Sequence, residues 1–150
     1  MTHQKTQRNL GAMHHLMNRL MPFTRPELAR LSLPIHVSLE SIKKGTGTYS
    51  DYQDIADAIN VSMVRAEQIS PQATAMLMLA RDAMVRMVQR FEATDRWGFD
   101  GPAIAEVSDA VDFYDQLLRL SSPKQMHDAL IEVKRRCDRI RAERAHGVAA

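Results

Sequence analysis

The sequence predicts an all-α protein, a single-domain bundle of five to six helices around a central long helix at about residues 71–95. Apolar residues recur at intervals of three and four along most of the chain. Residues that start and stop helices separate these segments, and no convincing strand pattern appears. A chain of 150 residues is long enough to bury the core of one domain.

The chain is expected to divide into a polar, flexible segment at residues 1–9, the helical bundle at 10–144 and a flexible tail at 145–150. A first amphipathic helix is predicted from Leu10 to the residue before Pro22. One side of this helix carries Met13, Met17 and Met21. Methionine fills irregular core gaps and also recurs on adaptable binding surfaces. These three residues are therefore either ordinary core or a candidate protein-binding face.

Two short helices are predicted next. The first begins at Thr24 and stops before Pro34, because the residue preceding a proline is disfavoured in helical geometry. The second runs from Ile35 to Lys44, and Gly45 suits a left-handed C-cap. The following loop contains glycine and threonine but lacks the lysine of a phosphate-binding loop, which indicates a plain connection.

The next helix has a possible capping box formed by Ser50 and Gln53. An uninterrupted helix from Asp51 to Ile69 would place its apolar residues on one core-facing side.

Part of the same segment resembles the helix-turn-helix of bacterial DNA-binding proteins. The residues that carry the resemblance are Ile55, Ala56, Asn60, Val61, Ser62 and Ile69. The resemblance implies that Asn60 occupies the turn, that Ser62 caps a recognition helix and that Arg65 lies on that helix. The sequence leaves this alternative and the uninterrupted helix open.

The predicted central helix begins at Ser70 and Pro71, a hydroxyl N-cap followed by a proline suited to the first turn. Its apolar residues cover more than half of its circumference, which is typical of a helix packed on several sides. Gly98 is expected to end it. Trp97 and Phe99 are expected to close the end of the bundle as a small local core, or, if exposed, to form a protein-binding hot spot.

Another amphipathic helix is predicted from Pro102 to Leu120, with Asp100 as a possible cap. Its acidic residues lie three apart, so they fan around the helix and do not converge on one point. They are predicted to be a solvated face or a face that meets a basic helix, not a catalytic pair or a calcium site.

The last helix is predicted from Ser122 and Pro123 to Arg144. A narrow apolar seam follows spacings of four and three, as in a coiled coil, and requires a partner helix. After Met126 the seam consists of Leu130, Val133, Cys137 and Ile140. The same helix supplies candidate phosphate contacts at Lys134, Arg135, Arg136, Arg139 and Arg141.

The net charge of +2 is far from that of a dedicated nucleic-acid binder. No motif indicates a catalytic residue, a cofactor or a metal site, and no segment is long and apolar enough for a membrane span. Catalysis would require polar groups from distant helices, such as His36 or His127 with an aspartate or Cys137. The single cysteine cannot form an internal disulfide, and the N-terminal apolar run is interrupted by His14 and His15, unlike a secretory signal.

We therefore expect a small, non-enzymatic, cytoplasmic interaction or regulatory protein that acts through protein contacts as a homo-oligomer. A DNA-binding transcriptional regulator that uses residues 52–69 or the basic last helix is the alternative.

Overall fold

A computed structural model describes residues 20–148 of the chain. The described part contains five helices and no named strand, which confirms the predicted all-α bundle. The helices are α1 (Arg25–Lys43), α2 (Tyr49–Ala66), α3 (Pro71–Thr94), α4 (Gly101–Leu120) and α5 (Pro123–Val148). None of these helices has an apolar stretch long enough to cross a bilayer.

The helix at the centre of the bundle is α2. It packs against each of the other four helices, whereas α3 packs mainly against α2 and α4. Ile55 and Ile59 of α2 are at most 2 % exposed. The apolar sequence of α3 indicated burial on several sides, but Met78, Leu79 and Val85 are each close to half exposed. The structure therefore places α2 at the position that the sequence assigned to α3.

Helix α1 is continuous through Pro34, so the predicted break at this residue is wrong. A proline inside a helix removes one backbone hydrogen bond and costs about 3 kcal/mol. Packing on α4 offsets this cost, because Asp115 accepts a hydrogen bond from the Ser32 hydroxyl at 2.6 Å and lies 2.7 Å from Nε2 of His36. Ser32 and His36 lie one helical turn apart on either side of Pro34. Their shared partner therefore supports helical geometry across the proline.

Helix α2 has no turn at Asn60, so the structure confirms the uninterrupted helix and excludes the helix-turn-helix geometry. Its cap differs from the predicted one. Thr48 and Asp51 form the capping box, in which the Asp51 carboxylate accepts the Thr48 amide hydrogen bond at 2.8 Å. The helix consequently starts before Ser50. The left-handed conformation expected of Gly45 after α1 is confirmed, with φ of 74°.

The remaining caps follow the sequence with one exception. The Ser70 hydroxyl accepts from the amides of the first turn of α3, and the Asp100 carboxylate accepts from the Ala103 amide at 2.9 Å. The end of α3 is not capped by Gly98. Asp95 adopts the left-handed conformation there, with φ of 56°. Aspartate tolerates this conformation better than most residues, since its short polar side chain bonds locally.

Helix α5 begins with the predicted signature: the Ser122 amide donates to Gln125 at 2.9 Å and the Gln125 amide donates to the Ser122 hydroxyl at 3.3 Å. The helix continues to Val148, four residues beyond the predicted end. Its first half packs on the bundle through Met126 and Ala129, which are buried. Every residue from Cys137 to Gly147 is exposed. The second half of α5 therefore has no packing partner within the described chain.

Candidate interaction surface

A groove separates α1 from α5 on one side of the bundle. It has a volume of about 300 Å³. Helix α1 forms one wall and α5 the other, while α2 and α4 supply the floor. The apolar lining consists of Phe23, Leu31, Ile35, Ala58, Val61, Tyr114, Leu118, Met126 and Leu130. Grooves of this type accept an amphipathic helix whose apolar side chains lie three and four residues apart.

The groove also has acidic lining residues, both from α2. Asp54 and Asp57 both line it, and His127 lines the α5 side. The Ser38 hydroxyl donates to Asp54 at 2.9 Å, which fixes that carboxylate. Burial by neighbouring atoms, and secondarily the charge of Asp54, raises the pKa of the Asp57 carboxyl. A partner with positive charge beside its apolar residues would relieve this unfavourable pairing of two carboxylates.

The predicted α5 seam is only partly covered. Val133 is half-buried against the bundle, whereas Leu130 is 51 % exposed and Ile140 is 47 % exposed. Cys137 is exposed as well. Since Leu130 lines the groove and Cys137 and Ile140 follow on the same side of the helix, the seam continues the groove wall past the end of the bundle.

Most of the basic residues predicted on α5 form ion pairs. Arg136 donates to both carboxylate oxygens of Glu67 at 2.7 and 2.8 Å and to Glu132 at 2.9 Å, which ties α5 to the end of α2. Arg135 also donates to Glu132, at 2.7 Å. Arg141 lies 3.5 Å from Asp138. In the described chain, ion pairs are lacking at Lys134 and Arg139.

The Glu132 contact has an expected pH dependence. Hydrogen bonds from Arg135 and Arg136 lower the pKa of Glu132 from 4.5 to about 2. The unfolded chain therefore takes up this proton near pH 4.5, while the folded chain does so only near pH 2. The stabilisation is complete above pH 4.5 and is expected to disappear as pH falls to about 2.

This dependence can be measured as the urea midpoint of the wild type and of Glu132→Gln over roughly pH 6 to pH 2. The difference in urea midpoint between the wild type and Glu132→Gln should become smaller as the pH falls through the acidic half of that range. A difference that stays constant with pH would contradict the proposed role of the Glu132 carboxylate.

The residues predicted for nucleic-acid contact do not form one surface. Ser62 is fully buried in α2. Arg65 is half-buried, and its Nη1 donates to Gln68 at 2.8 Å. Lys134 and Arg139 are exposed residues of α5 instead. The arrangement that the helix-turn-helix resemblance implied is therefore absent from this part of the molecule.

The remaining predicted contact residues are dispersed. Met13 and Met17 lie outside the described residues, and Met21 is 59 % exposed. Trp97 and Phe99 are half-buried and pack on the core near the end of α3, which confirms the predicted local core. The ring of Trp97 stacks on that of Phe91, with centroids 4.2 Å apart.

Ser32, His36 and Asp115 form a polar cluster between two helices. A catalytic site in this chain would need such a cluster, because its polar groups would have to come from different helices. Asp115 lies between Ser32 and His36, so the serine hydroxyl contacts the carboxylate and not the imidazole. A nucleophile activated by histidine needs a direct contact between those two groups. The cluster instead joins α1 to α4. Within residues 20–148, no group of three or more histidine, cysteine or acidic side chains is placed to hold a metal ion.

The sequence did not identify the groove itself. The predicted break at Pro34 separates Leu31 from Ile35, which together form the α1 wall. The one available signal was the apolar character of both residues at four-residue spacing.

Comparisons of the chain with protein-family models, with curated proteins and with solved structures give no match.

Proposed function

We propose that this chain is a non-enzymatic, cytoplasmic interaction protein that self-associates. In the proposed contact, the exposed second half of α5 in one copy lies on the acidic groove of a second copy. The observation that carries the proposal is that residues 137–147 of α5 have no packing partner among residues 20–148. An isolated helix of this length, about eleven residues, is marginal in water, so the segment relies on the packed first half of α5 and would be stabilised by further contacts.

Apolar side chains support a second copy as the occupant. The exposed half of α5 presents Cys137 and Ile140 one turn apart, and most of the groove lining is apolar. The twelve residues from Cys137 to Val148 span about 18 Å as a helix. This length is sufficient for several turns of contact with a neighbouring molecule.

Charge supports the same occupant. Residues 134–148 carry six basic and two acidic side chains, so this part of α5 is strongly positive. Lys134 and Arg139 lack ion pairs within the described chain and flank the seam. Asp54 and Asp57 line the groove. Opposite charges of this kind favour association and orient the partner, and salt weakens them.

The test is the mass of the protein in solution. Wild type is expected at twice the chain mass of 17.0 kDa, and Ile140→Glu at the chain mass. Ile131→Glu is the matched control, because Ile131 is 54 % exposed, like Ile140 at 47 %, but lies on the opposite side of α5. Asp57→Asn should weaken association and reduce its dependence on salt.

A wild type that remains at the chain mass at every concentration would refute self-association. If Ile140→Glu is a monomer but Asp57→Asn dimerises as the wild type does, the proposal of self-association through α5 would stand. The contact on the second copy would then lie outside the groove.

DNA binding is the competing function for the basic half of α5. A duplex added at low salt should leave the mass of the wild-type dimer unchanged under our proposal. Formation of a duplex complex that weakens steeply with salt would instead favour the regulator that binds phosphates through α5.

A further inference from the structure

A second cavity lies at a different part of the bundle, where α1 and α3 end and α4 begins. Its volume is about 600 Å³, within the range of small-molecule sites. The floor is apolar and is formed by Ile42, Trp97, Phe99 and Ile104. This cavity shares no residue with the groove between α1 and α5.

The charge of this cavity is of one sign. Lys43, Arg90 and Arg96 line it, and none of its lining residues is acidic. Lys43 pairs with Glu40 at 3.1 Å. In the described chain, the side chains of Arg90 and Arg96 form no ion pair. The nearby carboxylate of Asp100 is held by Arg86 at 2.9 Å, and the charge of Arg90 also contributes to lowering the pKa of this carboxyl.

Helix stabilisation explains only part of this charge. Lys43 lies in the last turn of α1, where a cation interacts favourably with the helix dipole. Arg96 lies beyond the end of α3 and beyond its cap at Asp95, so the same reason does not apply to it. Two exposed guanidinium groups beside an apolar floor are instead the arrangement that recognises an anion attached to an apolar body.

The floor is rigid. Trp97 stacks on Phe91 with an angle of 12° between the rings, and on Tyr52 with centroids 5.1 Å apart. A backbone bridge joins Trp97 to Gly47 in the loop after α1. Beside the tryptophan, a side chain added at Gly98 would meet no atom within 4 Å, so the backbone there borders open space. A ligand can approach this floor without displacing a side chain at Gly98.

We propose that this cavity binds a small anionic amphiphile, a molecule with a phosphate or carboxylate group on a short apolar body. Arg90 and Arg96 contact the anion, and the apolar body lies over Phe99 and Ile104, beside the edge of Trp97. This site is independent of the proposed self-association.

Trp97 is the single tryptophan of the chain and lines this cavity, so tryptophan fluorescence can report ligand binding there. The probe is octyl phosphate, compared with 1-octanol, which lacks the charge, and with inorganic phosphate, which lacks the apolar body. Octyl phosphate is expected to give a saturable change in tryptophan fluorescence and to bind at least roughly tenfold more tightly than either 1-octanol or inorganic phosphate.

Replacing either Arg90 or Arg96 by glutamine should weaken the binding of octyl phosphate roughly tenfold. Arg81→Gln is the control, because Arg81 is an exposed α3 residue outside the cavity. The replaced side chains are exposed, and circular dichroism would verify that each variant remains folded. The proposal is overturned by the absence of a saturable change at millimolar octyl phosphate, by equal binding of 1-octanol, or by unchanged affinity in Arg90→Gln and Arg96→Gln.

Discussion

Replacement of Ile59 by alanine is expected to lower the free energy of unfolding by about 2–5 kcal/mol. Ile59 is 2 % exposed and lies in α2, the helix that packs on all four others. Truncation removes apolar contact area and leaves a cavity that several helices would have to move to fill. Urea unfolding of the wild type and the variant measures the loss.

Ile69→Ala is the matched control for this prediction. Ile69 lies just after α2 and is 56 % exposed, so its truncation should change the free energy of unfolding by no more than about 0.5 kcal/mol. Similar losses in both variants would contradict the central position of α2, because the two side chains differ mainly in burial.

Replacement of Gly47 by alanine is expected to cost about 1–3 kcal/mol. A Cβ atom at Gly47 would lie 2.6 Å from Cγ1 and 3.1 Å from Cα of Ile42, which is itself 1 % exposed. The loop would have to move away from α1. Because Gly47 bridges to Trp97, this movement should also change the fluorescence of the tryptophan in the folded protein.

The control for Gly47 is Gly98→Ala. A Cβ atom at Gly98 meets nothing within 4 Å, and neither glycine has the positive φ that disfavours alanine. Thermal unfolding followed at the same protein concentration would compare the two variants. An unfolding temperature for Gly47→Ala as high as that of Gly98→Ala would show that the contact with Ile42 is not limiting.

Local chemistry made much of the fold predictable. Ser70, Asp100 and the Ser122–Gln125 pair satisfy amide groups at helix starts, so short stretches of sequence were sufficient to locate α3, α4 and α5. Pro34 led to a wrong prediction because a contact from another helix, not local chemistry, decides the structure there. Its local preference favours a break, but Asp115, on another helix, holds the residues on both sides of it.

The position of each helix in the bundle was less predictable. Apolar residues around most of its circumference indicated that α3 was the central helix. Apolar character alone does not determine which sides of a helix pack against other helices, and Leu79 of α3 remains 55 % exposed. The groove was beyond prediction because it is assembled from four helices. By contrast, the α5 seam was visible in the sequence, since its apolar spacing is a property of one helix.

If the proposed self-association holds, the exposed end of α5 couples assembly to helix formation. In a single copy, residues 137–147 depend on their own backbone hydrogen bonds and local charge pairs, so part of any association energy is spent on ordering this segment. Substitutions that never touch a partner can then alter affinity through helix propensity alone. Gly147, near the end of the helix, already lowers that propensity. Affinity could therefore be tuned from the outer side of α5 without any change in the contact itself.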